Sequence, residues 1–158
     1  WTPRPGLVER MWWRDYWYEL SHSEQGLRGT GLVAAQRPAG IKNRVLMLGD
    51  SVLYGLGASD AEVITEILKQ KLPATEIVNT GMPGYGRYDP AINTYIEASL
   101  AAVCAELGIE YVDLLPPMQA ADQKSAAVLY YERDNHLTPA GNAVVADIIE
   151  PILAKYLQ

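Results

Sequence analysis

Three short stretches hold the residues whose types and spacing could do chemistry. The first is Gly49-Asp50-Ser51, which closes an apolar run at residues 45–48 and is followed by Gly55 and Gly57. A serine at the carboxyl end of a buried strand can present its hydroxyl at the mouth of a parallel sheet. Its own N–H, near the following helix, can face a developing negative charge. Glycines at 55 and 57 let the backbone turn tightly and keep space open above the serine. The plainer reading of the same residues is that Asp50 and Ser51 only cap a turn.

The second stretch is "NTGMPGYG", Asn79 to Gly86, with three glycines and a proline in a fixed irregular loop. Such a loop can aim backbone N–H groups at an anion, and Gly84 is the favoured donor position. Its bland alternative is an ordinary strand-to-helix turn. The third stretch is "YYERDNHLTPAGN", in which Asp134 and His136 stand two apart, just before a capped helix. If that stretch is extended, both side chains point the same way. The carboxylate then accepts from the imidazole Nδ1–H and leaves Nε2 free as a base, the orienting half of a hydrolytic triad. The other histidine, His22, reads as structural.

The elements that must position these residues follow from pattern. Residues 45–48 read as a strand buried on both faces. Ser59-Asp60-Ala61-Glu62 is a capping box, and Val63, Ile64, Ile67, Leu68 and Leu72 make one apolar helix face behind it. A second strand is expected at 76–79. Asp89-Pro90 begins a helix with Ile92, Ile96, Leu100, Val103 and Leu107 on one side, ending at Gly108, and Cys104 beside that face is expected as a buried thiol. Residues 109–115 read as a further strand, and "AAVLYY" as a short extended piece. Thr138-Pro139 caps a last helix with Val144, Val145, Ile148, Ile149 and Ile152 inward, where Pro151 should kink or restart it. Strands alternating with amphipathic helices imply an α/β fold with a parallel sheet.

Residues 1–40 read as an irregular, aromatic-rich N-terminal segment ahead of a domain at 41–158. Within "RMWWRDYWYEL", Trp13, Trp17 and Leu20 fall at i, i+4 and i+7, one face of a helix. This is read as an aromatic flap over the main core, or alternatively as a contact surface for a partner or membrane.

Composition narrows the function. The chain has 158 residues, 49% hydrophobic and 20% charged, which suits one globular domain. A net charge of −6 argues against nucleic acid and anionic membrane surfaces as partners. No apolar run reaches the roughly 18–20 residues of a membrane span. Two histidines and one cysteine, widely spaced, give no metal pattern, and no nucleotide-binding glycine motif follows a strand. No metal or organic cofactor is expected. A start at Trp1 leaves the compartment, cytoplasmic or extracytoplasmic, open, and the oligomeric state is open as well.

Together the three stretches resemble the SGNH/GDSL hydrolase family. "LGDSVLYGLG" looks like the block that carries its nucleophile, here Ser51. "NTGMPGYG" looks like the block whose glycine lends an oxyanion-hole N–H, here Gly84, beside that of Ser51. "RDNHLTPAGN" looks like the acid–base block, in an Asp-x-His variant seen in some carbohydrate-acetylating and deacetylating branches, here Asp134 and His136. "GLRGTG", at 26–31, resembles leader segments of bacterial members. The resemblance implies a three-layer α/β/α, flavodoxin-like fold. It also implies a serine esterase acting on a small acyl ester, such as an O-acetylated carbohydrate, through a Ser-His-Asp triad. An O-acyltransferase would use the same residues. A non-catalytic, glycan-binding module of the same fold and an anion-binding flavodoxin-like domain are the rival readings.

The family's third block, a strand ending near Gly-x-Asn-Asp, has no counterpart here. Asn93, the sole asparagine between Asn79 and Asn135, sits in an expected helix. The seam falls near residues 86–92. Either an internal segment with central strands is missing there, or the chain is short and its first and last strands face a gap of about 10 Å.

Overall fold

The computed structural model describes residues 4–14, 16–84 and 101–157. The seam at 86–92 where the third block is missing, the helix start at Asp89-Pro90, Asn93, and Ile92, Ile96 and Leu100 of the expected helix face lie outside them.

The N-terminal aromatic segment is a β-hairpin, not a helix. Strand β1 (Val8–Trp13) pairs antiparallel with β2 (Tyr16–Ser21), in a register that sets Trp13 opposite Tyr16. Arg14, at the turn, takes φ +53, the left-handed geometry that two-residue hairpin loops require. The helical spacing of Trp13, Trp17 and Leu20 is a coincidence overridden by strand alternation. Tyr18 and Leu20 are buried, while Trp17 and Glu19, at the alternate positions, are exposed.

A two-stranded parallel sheet carries the chemistry-bearing loops. Strand β3 (Asn43–Met47) pairs with β4 (Thr75–Asn79), from Asn43 opposite Thr75 to Met47 opposite Asn79. Between them run a short helix α1 (Ser51–Tyr54), a 3-10 turn (Asp60–Glu62) and α2 (Ile64–Lys71). The Ser59 capping box forms, with Ser59 N–H donating to Glu62 Oε2 at 3.0 Å, but it caps the 3-10 turn and α2 starts afterwards. The expected apolar face is the buried one: Val63, Ile64 and Leu68 are sealed, with Ile67 and Leu72 packed at the margin.

Burial on both faces belongs to β4 rather than β3. Ile77 and Val78 are both buried, whereas Leu46 and Leu48 are 58% and 78% exposed. Val45 and Met47 pack on the core, so β3 is buried on one face, while Leu46 and Leu48 on the other stay exposed.

Residues 101–107 are helical (α3) and end at Gly108, which has φ +66. Val103 and Leu107 are exposed and Cys104 is only half-buried, so the expected apolar face is not sealed there. No strand forms at 109–115. Asp113 Oδ1 accepts from Leu115 N–H at 2.9 Å, and Pro116 and Pro117 follow at first-turn positions, so the run ends by starting α4 (Leu115–Lys124). The expected extended piece at "AAVLYY" is reduced to a bridge between Tyr130 and Leu137.

Helix α5 (Pro139–Ala154) begins as its sequence predicts, with Thr138 Oγ1 accepting from Gly141 N–H at 3.1 Å. It runs on through Pro151 without restarting. Gly141 has to be small, because a Cβ there would stand 2.2 Å from Leu129 O. Ile64 and Leu68 of α2, Ile77 of β4, Met118 of α4 and Val145 and Ala146 of α5 close the core around Leu129 and Leu137. The fold is α/β, with a small parallel sheet and a separate antiparallel pair among the described residues. None of the described helices is long and apolar enough to cross a membrane.

Candidate active site

Ser51 is the first residue of α1. Asp50 precedes it as the N-cap, its Oδ1 accepting from Val52 N–H at 2.9 Å. The capping reading of Asp50 therefore holds, while Ser51 is used elsewhere. Gly55 ends this single turn in a left-handed conformation, φ +82, and a Cβ there would stand 2.3 Å from Val63 Cγ1. Gly57 has a different task. At φ +91 its missing side chain leaves the seat for the Tyr16 and Tyr131 rings, each 2.9 Å from where a Cβ would be.

The second glycine-rich stretch is laid against the first. Asn79 is buried; its Nδ2 donates to Leu53 O at 2.9 Å and Thr65 Oγ1 at 3.2 Å, and its Oδ1 accepts from Gly81 N–H at 2.9 Å. Thr80 binds Met47 O through both N–H and hydroxyl, and Met82 N–H donates to Gly49 O at 3.0 Å. Gly81 lies so close to α1 that a Cβ would meet Tyr54 N at 2.3 Å. Gly84 is left-handed, φ +88, with open space beside its Cα. Leu48, Gly49, Asp50, Thr80 and Met82 line an open cleft of about 610 Å³ at the carboxyl ends of β3 and β4.

Asp134 and His136 sit in a bend-rich turn, not an extended strand. Tyr131 N–H donates to His136 O at 3.1 Å, and Asp134 N–H to Tyr131 O at 3.2 Å, which folds the acid back towards the base. His136 Nδ1 lies 2.5 Å from Asp134 Oδ1, and His136 Nε2 lies 2.8 Å from Ser51 Oγ. An ionised carboxylate only accepts, so it fixes the imidazole proton on Nδ1 and leaves Nε2 as acceptor for the serine hydroxyl. The three residues thus form one hydrogen-bonded relay.

The chain matches no protein-family model, no curated protein and no solved structure.

The relay has members that sequence reasoning missed. Asp134 Oδ2 accepts from Trp13 Nε1–H and from Tyr16 O–H, each at 2.7 Å. Burial by itself pushes the Asp134 carboxyl up, but the bonds from Tyr16, His136 and Trp13 outweigh it and hold its pKa below the usual carboxylate value. Burial, and then the adjacent Asp134 anion, push the Tyr16 hydroxyl far above an ordinary phenol. The alternation in "YWYEL" was the available signal for a hairpin; nothing local signals that its tip reaches Asp134.

His22 is structural, as expected. It is buried, with Nε2 2.8 Å from Tyr54 Oη and Nδ1 3.1 Å from Arg4 O. Burial chiefly lowers its pKa, which favours the neutral ring. No group of three His, Cys, Asp or Glu side chains suited to a metal occurs among the described residues.

Proposed function

We propose that this chain is a serine ester hydrolase. The observation that carries the reading is the relay Ser51 Oγ–His136 Nε2, 2.8 Å, with His136 Nδ1–Asp134 Oδ1, 2.5 Å. Ser51 Oγ attacks the ester carbonyl while its proton passes to His136 Nε2. Asp134 holds the tautomer and stabilises the imidazolium. The tetrahedral oxyanion is received by backbone N–H groups, those of Ser51 at the start of α1 and of Gly84 in the second loop. His136 then gives its proton to the departing alkoxide, leaving an acyl-serine. Water, deprotonated by the same Nε2, attacks that acyl group, and Ser51 regains its proton as the acid leaves.

The substrate class that fits is a small acyl ester. The open cleft at the carboxyl ends of β3 and β4, lined by Asp50, the residue before Ser51, with Leu48 and Met82 in its wall, offers apolar surface to a short acyl group and an open side to the alcohol. An acetyl group on a carbohydrate is the specific form we favour. Transfer to a second hydroxyl instead of water uses the same residues. On this reading the α/β fold is that of an SGNH hydrolase of flavodoxin-like type.

A second reading, a glycan-binding module without turnover, draws on the exposed indoles of Trp12 and Trp17, whose ring centroids lie 4.9 Å apart. The test is hydrolysis of p-nitrophenyl acetate by the native chain and by Ser51→Ala, with fluorophosphonate labelling of the serine. Turnover and labelling that both vanish in the variant support the esterase. A native chain that neither turns over nor labels leaves the binding module.

A further inference from the structure

We propose that the N-terminal hairpin is a positioning arm for the relay, with Trp13 and Tyr16 holding one oxygen of Asp134 so that the other faces His136. The proposal rests on the esterase reading for its consequence in catalysis, and on independent geometry for the arm itself.

A carboxylate in an irregular turn has little to orient it. The residues on either side of Asp134, Arg133 and Asn135, are exposed, and rotation about the Cβ–Cγ bond exchanges the two oxygens. Two donors converging on Oδ2, Trp13 Nε1–H and Tyr16 O–H, stop that rotation. Both donors are neutral, so the acid keeps its full charge for His136. Nothing else in a positioning role is needed on Oδ1, which meets His136 Nδ1.

The tip of the arm grips the loop as well as the side chain. Arg14 Nη1 donates to Arg133 O at 2.9 Å. The Tyr16 ring stacks on Tyr131, 3.7 Å between centroids and 16° from parallel. Tyr131 in turn donates its hydroxyl to Gly57 O at 2.6 Å, in the stretch just after the serine helix. Gly57 is the seat on which both rings rest.

The base of the arm is fixed to the serine side of the site. Ser21 N–H donates to Asp60 Oδ1 at 3.1 Å, and the Ser21 hydroxyl to Asp60 Oδ2. Arg28, its side chain 1% exposed, donates to Asp60 Oδ1 at 2.8 Å and Ala58 O at 2.7 Å. The hairpin therefore spans from the segment after Ser51 to the loop that carries Asp134, and sets the distance between nucleophile and acid. Trp13 and Tyr16 are positioning residues, acting through Asp134 and not on substrate.

The experiment uses Trp13→Phe, Tyr16→Phe and the double variant, each in the native background and in Asp134→Ala. Two readouts are taken: kcat and KM for p-nitrophenyl acetate, and solvent exchange of the His136 Nδ1 proton by NMR. His22 serves as internal control, since it is the other of the chain's two histidines and lies at the base of the same hairpin. The double variant is expected to lower kcat on the order of 10- to 100-fold with KM within about 2-fold. In Asp134→Ala the same changes should cost less than about 2-fold, because the group they act through is gone. The His136 proton should lose protection while the His22 signal stays.

An equal fold-loss in both backgrounds, or no loss in either, overturns the arm. So does a His136 proton unaffected by the double variant in a chain that hydrolyses the ester, an outcome that leaves the esterase standing. A native chain without turnover, in which the His136 proton is nonetheless lost in the double variant, overturns the esterase and keeps the arm.

Discussion

Tyr16 and His136 bind opposite oxygens of one carboxylate: Tyr16 O–H reaches Asp134 Oδ2 at 2.7 Å and His136 Nδ1 reaches Oδ1 at 2.5 Å. The hairpin and the acid–base loop, 118 residues apart in the chain for the Tyr16–Asp134 pair, are thereby one unit. The chemistry of that unit sets its response to pH and to substitution.

The docking of the hairpin should be strongest across the neutral range. The Asp134 pKa is lowered in the folded chain, so its contribution is complete above the unfolded carboxyl value of about 4 and is lost as pH falls through the lower folded value. The Tyr16 pKa is raised, so its contribution is complete below the unfolded phenol value of about 10 and is lost as pH rises from there. Urea midpoints measured between pH 2 and 11 should fall at both ends. Tyr16→Phe should flatten the alkaline fall; an unchanged alkaline limb would place the titrating group elsewhere.

His136→Ala and Asp134→Asn should each reduce ester hydrolysis by roughly 10⁴-fold. The first removes the base, and the second presents an amide that favours the wrong imidazole tautomer. Combined with Ser51→Ala, neither should cost much more, because the three act together. The check is steady-state kinetics on p-nitrophenyl acetate. Additive losses would mean that the relay does not work as a unit. In the native chain the rate should fall at acid pH, since only a neutral imidazole accepts the serine proton.

Gly57→Ala should be unusually costly for so small a change. The backbone is at φ +91, and the added methyl meets the Tyr16 and Tyr131 rings at 2.9 Å. Strain and displacement together should destabilise by about 2–3 kcal/mol. The rings must separate for the methyl to fit, so kcat should fall as well. Gly40→Ala, also left-handed at φ +84 but with open space beside it, is the control for strain alone. Equal losses at the two positions would remove the ring seat from the explanation.

Asp60→Ala should loosen the base of the hairpin. It leaves the buried Arg28 guanidinium without its carboxylate partner and removes the acceptor of Ser21. A loss of about 3 kcal/mol is expected by thermal or urea unfolding. Arg28→Met in the same background should recover part of it, since the uncompensated charge goes too.

Much of the local structure is legible in the residues themselves. The helix start at Thr138-Pro139, the capping box at Ser59 and the stop at Gly108 all follow from short-range rules. The Asp-x-His spacing and the serine after a strand also mark the two halves of the relay in advance. Those features depend on side chains within a few residues of one another, where propensity and hydrogen-bond reach decide.

What failed had two admissible local answers. The tryptophan-rich segment satisfies a helical spacing and a strand alternation at once, and only the burial of Tyr18 and Leu20 beneath a hairpin selects the second. Residues 109–115 are apolar enough for a strand, but Asp113 and the prolines at 116 and 117 turn the run into a helix start. Asp134 and His136 meet through a tight turn instead of an extended pair, because the Tyr131 N–H finds the His136 carbonyl. The sequence by itself therefore determined which residues carry the candidate chemistry, where α5 begins and where α3 stops. Tertiary structure alone decided that Trp13 and Tyr16 join them. Their bonds to Asp134 close across more than a hundred residues, and no short-range pattern encodes a contact that exists only once both the hairpin and the loop have folded.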